Sequence, residues 1–116
     1  MHVAAGGNIL GLERHSGNAI LFQLSAMMKT AEQAAFAYPK FKAAVQAIKD
    51  FADSLDGGLM RDWLYMNYAD KSQDVLRSYG VDNVRKMKEV AATYDPDQVF
   101  QKLCLGGWKI SDVDVE

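Results

Sequence analysis

The chain has 116 residues, 49% hydrophobic and 24% charged, the composition of an ordinary soluble domain rather than a disordered or fibrous segment. A net charge of -2 and a pI near 5.6 supply no cationic field to hold a phosphate backbone, so no nucleic acid is expected as partner. No apolar run reaches the roughly 18 residues of a bilayer span, and Met1 to Gly7 lacks the basic start and long apolar middle of a signal peptide. The expectation is a soluble, cytoplasmic protein with no membrane partner.

A domain of this size buries roughly two-thirds of the surface its unfolded chain exposes, enough for a core without staples. The single cysteine, Cys104, can form no internal disulfide, and with two distant histidines, His2 and His15, it makes no credible metal site.

Val3 to Leu12 is apolar and interrupted by Gly6, Gly7 and Gly11, which suits a bulged strand. Glu13 to Asn18 has turn composition. Ala19 to Met28 then alternates as a strand, with Ile20, Phe22, Leu24 and Ala26 on one face and Leu21, Gln23 and Ser25 on the other. The two strands form an antiparallel hairpin.

Thr30 followed by Gln33 is a capping-box pattern. Behind it, Ala34, Tyr38, Phe41, Val45, Ile48, Ala52 and Leu55 recur at alternating steps of four and three, which predicts a helix. Pro39 is expected to break or kink it, leaving a short first turn and a longer helix that ends at Asp56-Gly57-Gly58, with Lys40, Lys42 and Lys49 on its solvated side. Arg61 to Tyr68 reads as a third strand. Its period of two places Arg61, Trp63, Tyr65 and Asn67 on one face and Leu64, Met66 and Tyr68 on the other, one face suiting a site and the other a core.

A second helix is predicted from Asp82 or Asn83 to Tyr94, stopped by Asp95-Pro96, and Asp95 caps a short turn running through Phe100. Residues 111–116 form an acidic tail that frays. The resulting expectation is one α+β domain over residues 1–116. A small antiparallel sheet, in the order strand, strand, helix, strand, helix, carries helices on one face. The bare face of that sheet needs cover, and a homodimer is predicted to complete it.

Several ordered motifs resemble the C-terminal, substrate-side part of fungal berberine-bridge-type FAD-linked oxidoreductases. They are Gly6-Gly7-Asn8, Tyr38-Pro39-Lys40 with Leu55-Asp56-Gly57-Gly58, Tyr65-Met66-Asn67-Tyr68-Ala69-Asp70, Ser78-Tyr79-Gly80 with Asn83, Tyr94-Asp95-Pro96, Val99-Phe100-Gln101 and the closing Gly106-Gly107-Trp108-Lys109-Ile110. The resemblance covers nearly the whole chain. It implies an enzyme of several hundred residues in which an N-terminal domain holds the flavin and an antiparallel sheet covers its reactive face. That N-terminal domain has no counterpart here, so the chain is expected to carry no cofactor of its own and not to be a self-sufficient FAD oxidase.

The resemblance also implies roles. The tyrosine of the Tyr-x-Asn-Tyr-x-Asp motif, here Tyr65, serves as the base that deprotonates substrate, and the asparagine, here Asn67, lies beside the cofactor. A free phenol, with a pKa of about 10, is a poor base at neutral pH unless a positive charge or a donor lowers it, and Arg61 is the candidate cation. Tyr65 and Arg61 are therefore the candidate catalytic residues, with Trp63, Asn67, Gln23, Ser25 and Phe22 as candidate substrate contacts. The plainer reading stays open beside this one: aromatics in a strand fill a sheet interface, and Asn67 and Asp70 terminate a strand and cap a turn.

Three function classes follow. The first is a flavin-free enzyme that cyclises or isomerises a polyketide- or terpenoid-like small molecule through shape and acid–base groups. The second is a non-catalytic accessory subunit of a flavoprotein, and the third a truncated piece of one.

Overall fold

The computed structural model describes residues 7–15, 17–57 and 60–115, and the chain divides into two compact units. The first unit is Met1–Gly17 with Asp62–Glu116, and the second is Asn18–Arg61. No β-strand occurs among the described residues, which overturns the expected α+β fold with a small antiparallel sheet. The regular structure there is helical throughout.

The reason lies in what alternation reports. A period of two marks an extended backbone with side chains to either side, whereas a strand also needs a neighbour's N–H and C=O groups. Residues 18–28 and 60–65 take no regular structure and have no such neighbour among the described residues, and the chain then closes into a 3-10 turn at Met66–Tyr68. The first expected strand fails differently. Gly7 and Gly11 take φ of 86° and 69°, which curls the backbone into a turn and a 3-10 helix at Leu12–Arg14. Residues 3–6 of that strand, together with His2 and Gly58, lie outside the described residues.

In the second unit, helix α1 spans Ala31–Ser54. Thr30 Oγ1 accepts from the Gln33 amide at 3.2 Å, as the capping pattern predicts, while Gln33 Oε1 accepts from the Lys29 amide at 3.2 Å, one residue before the cap. Pro39 does not break the helix. It removes one N–H donor, its fixed φ is already helical, and the apolar stripe continues on both sides of it. Phe41, Val45 and Ala52 of that stripe are half-buried, and the Lys40 ammonium lies 3.7 Å from the Phe36 ring centroid. No described residue of this unit is buried.

The first unit holds the core. Helix α2 (Val75–Ser78) and helix α3 (Val81–Tyr94) meet at Gly80, whose φ of 99° turns the chain between them. Val75, Leu76, Tyr79, Val84 and Val113 are buried together, and Trp63, Leu64, Met66, Met87, Trp108 and Ile110 pack around them. Each fully buried valine or leucine contributes about 1.5–3 kcal/mol. Asn83 pins the N-terminal loop to this centre, its amide donating to the Tyr79 carbonyl at 2.9 Å and to the Asn8 carbonyl at 3.2 Å.

Helix α4 (Val99–Lys102) starts later than the proline pattern suggests. Asp95 caps it from four residues upstream, its carboxylate accepting from the Val99 amide at 2.7 Å and the Phe100 amide at 3.0 Å. The chain then reaches a 3-10 turn at Ile110–Asp112 and the buried Val113, whose carbonyl accepts from the Lys88 ammonium at 2.6 Å.

Candidate functional site

The chain between the second unit and α2 builds an aromatic ledge on the first unit. It begins with Trp63, which is half-buried because its indole N–H donates to the Leu10 carbonyl at 2.8 Å, fixing the ring against the N-terminal loop. The Leu64 amide donates to Ser78 Oγ at 3.1 Å, and that hydroxyl donates to the Val75 carbonyl at 2.6 Å, so one serine ties the extended segment to α2. With the backbone held at both points, Tyr65 follows Trp63 at a centroid separation of 6.0 Å and an interplanar angle of 20°. Tyr68 meets Tyr65 edge-on at 5.1 Å and 82°.

Asn67 completes the ledge. The turn at Met66–Tyr68 brings its amide back so that Nδ2 donates to the Tyr65 hydroxyl at 2.9 Å. Beneath the ledge, Tyr79 is 1% exposed and its ring lies 6.0 Å from that of Trp63. Burial pushes the Tyr79 phenol above its ordinary value of 10.0; a hydrogen bond with the Met66 backbone pulls the other way, and the neighbouring Tyr65 adds to the rise. Tyr79 therefore stays neutral at physiological pH and acts as the floor of the ledge.

The seven residues singled out from sequence divide between the units. Trp63, Tyr65 and Asn67 come together on the ledge of the first unit, whereas Phe22, Gln23, Ser25 and Arg61 belong to the second. Phe22, Gln23 and Ser25 sit in the stretch 18–28, which has no regular structure, and are exposed. The group that touches the Tyr65 oxygen is the Asn67 amide. Sequence reasoning missed Ser78, Tyr79 and Asn8, which hold the ledge and the loop behind it in place; the motifs Ser78-Tyr79-Gly80 and Gly6-Gly7-Asn8 carried the signal.

Two grooves lie elsewhere on the first unit. One, of about 560 Å³, is lined by Lys71, Gln73, Asp74, Trp108, Lys109 and Asp112 among others, and its opposed charges leave no net sign for a ligand. The other, of about 280 Å³, is an apolar trough between Ile9, Met87, Val90 and Ile110. Neither contains Trp63, Tyr65 or Asn67. Among the described residues no cluster of His, Cys, Asp or Glu could hold a metal ion, and no helix is long and apolar enough to cross a membrane.

The chain has relatives in sequence. The chain is 35% identical over 107 residues to the FAD-dependent monooxygenase sdcF of Emericella nidulans, covering 92% of this chain and 22% of that protein. It is 37% identical over 110 residues to the FAD-dependent monooxygenase drtC of Aspergillus calidoustus, covering 95% of this chain and 20% of that protein. The chain is similar to fungal FAD-dependent monooxygenases. A third relative, the oligopeptidase PhomG' of Diaporthe leptostromiformis, is 35% identical over 107 residues, which are 90% of this chain and 9% of that protein. The chain therefore spans about a fifth of the length of the first relatives it matches. No family model matches the chain, and no solved structure does.

FAD, which the relatives' name implies, asks for a strand, a glycine-rich turn and a helix whose N-terminus meets the pyrophosphate. The described residues contain no strand, and the cap of α1 is filled by the Thr30 hydroxyl accepting from the Gln33 amide. The described residues therefore do not form that strand, turn and helix arrangement. What the first unit offers is an aromatic ledge in which the Asn67 amide donates to the Tyr65 phenol.

Proposed function

We propose that this chain forms the substrate-side wall of a berberine-bridge-type FAD-linked oxidoreductase, with the flavin held by other polypeptide. The observation that carries this reading is the match over about nine-tenths of this chain and about a fifth of each FAD-dependent monooxygenase. The ledge agrees with it. Trp63 and Tyr68 flank Tyr65 with flat surfaces that suit a conjugated or polycyclic substrate of the polyketide or terpenoid kind. Asn67 occupies one lone pair of the Tyr65 oxygen, so the phenol meets the substrate in a fixed orientation and exchanges a proton with it there. Redox chemistry belongs to the flavin and positioning to this wall.

The test is a chimera in which this chain replaces the 110 matched residues of drtC. In that protein Tyr65→Phe is expected to lower kcat/KM on the drtC substrate by about 10²–10⁴-fold with flavin content unchanged. Full turnover by the Tyr65→Phe chimera would remove Tyr65 from the chemistry.

A further inference from the structure

Trp63 owes its place on the ledge to two neighbours. Its indole N–H donates to the Leu10 carbonyl at 2.8 Å, and its ring lies 6.0 Å from that of Tyr79. Both neighbours trace back to one side chain. Asn83, in the first turn of α3, donates from its amide nitrogen to two backbone carbonyls, that of Tyr79 at 2.9 Å and that of Asn8 at 3.2 Å. Asn8 then fixes Leu10: its carbonyl also accepts from the Gly11 amide at 2.7 Å, and its side-chain Oδ1 accepts from the Leu10 amide at 2.8 Å. Leu10 is thus held by its N–H on one side and holds the indole by its carbonyl on the other.

We infer that Asn83 is a positioning residue for the ledge: through Asn8 and Leu10 on one side and the Tyr79 backbone on the other, it sets where the Trp63 ring stands against Tyr65, and so how the Tyr65 hydroxyl meets a substrate. This deepens the substrate-wall reading and rests on it. Two comparisons single out Asn83. The loop 7–15 has another tie to the same region, Arg14 donating to the Ser78 carbonyl, but at 3.4 Å that bond lies beyond the ordinary N–H···O range and is exposed, whereas both Asn83 bonds are shorter and half-buried. Ser78 fixes the backbone between the two rings, at Leu64, and leaves the tilt of the indole to its own hydrogen bond.

The chemistry required at position 83 is narrow. Two carbonyls converge on one atom, so that atom must carry two N–H donors, which the asparagine amide does. Leucine matches the shape of asparagine and has no donor, so Asn83→Leu removes a partner from the Tyr79 and Asn8 carbonyls while keeping the volume. Leu10 then loses its fixed place, and the indole loses a fixed acceptor. A displacement of about 1 Å at a reacting group costs about 10²-fold in rate, so the effect falls on the alignment of Tyr65.

Two readouts test this. In the 116-residue chain, NMR follows hydrogen exchange of the Trp63 indole, whose resonance is told from that of Trp108, the second tryptophan, by Trp63→Phe. Asn83→Leu is expected to speed that exchange by at least about 10-fold and to leave Trp108 unchanged. Asn8→Ala, which removes the Oδ1 acceptor of the Leu10 amide, is expected to do the same, and it decides the matter should Asn83→Leu not fold. An indole proton that keeps its original rate in the folded variant overturns the inference. In the drtC chimera, Asn83→Leu is expected to lower kcat per bound flavin by about 10–100-fold, and by less than about 3-fold in the Tyr65→Phe background. Equal losses in both backgrounds would make Asn83 a support of the fold alone and overturn the inference as well. The substrate-wall reading fails separately, through full turnover by the Tyr65→Phe chimera with indole exchange still sped by Asn83→Leu.

Discussion

The second unit is richer in apolar residues than the first, yet the two put them to opposite use. In the first, short helices joined by tight turns bring Val75, Leu76, Tyr79, Val84 and Val113 out of water. In the second, a 24-residue helix and the irregular run 18–28 bury no described residue. The difference comes from contact range. Tyr79 reaches Trp63, Asn83 reaches Asn8 and Val113 reaches α3, so the first unit closes on itself, whereas a single helix and a segment without regular structure have no third layer to close against.

Substitutions in the two units should therefore differ sharply. Tyr79→Ala removes the floor of the ledge and the centre of the core, and a loss of about 3–5 kcal/mol is expected in urea unfolding followed by tryptophan fluorescence. Phe51→Ala, at 66% exposure in the second unit, should stay within about 0.5 kcal/mol in the same assay. Equal losses from both would mean that the second unit has a core of its own in solution.

Gly11→Ala is the next largest. Gly11 has a φ of 69°, and an added Cβ would press into the Tyr79 carbonyl oxygen, so left-handed strain of about 1–2 kcal/mol is joined by a backbone clash. The expected total is at least about 2 kcal/mol, read from the shift in unfolding midpoint. A neutral result would show that the loop carrying Asn8 does not rest on the core.

The smallest effect concerns pH. The folded Tyr79 phenol titrates above the unfolded one, so below 10.0 both states hold the proton and stability is untouched. Above that value the unfolded state gives up its proton first, and stability falls until the folded phenol ionises too. Unfolding midpoints between pH 7 and 11 should therefore drop at the alkaline end, and Tyr79→Phe should flatten the part of that drop due to this residue.

How much of this was legible in the sequence depends on how local the cause was. Thr30 with Gln33 announced the start of α1, and the spacing of Val84, Met87, Ala91 and Tyr94 announced α3, because caps and stripes act within a turn or two. The strands were misread because a ladder is a non-local object: Ile20, Phe22 and Leu24 specify an extended backbone but not the neighbour it needs. Pro39 was misread for the converse reason, since local propensity is overridden where the stripe on both sides keeps the helix going. For the site, the motif around Tyr65 and Asn67 was visible and their contact was not, because the 3-10 turn that brings them together replaced an expected strand.

The uncharged run from Asn18 to Met28 also bears on how the protein behaves at high concentration. Natural sheet edges are guarded by lysines, prolines or bulges, and short apolar windows without such gatekeepers are the ones that condense into cross-β aggregates. Lys29 is the first charge after Arg14, so nothing within the run itself interrupts it. A variant with a charge placed inside the run, Leu24→Lys, should therefore stay clear at concentrations where the unaltered chain precipitates.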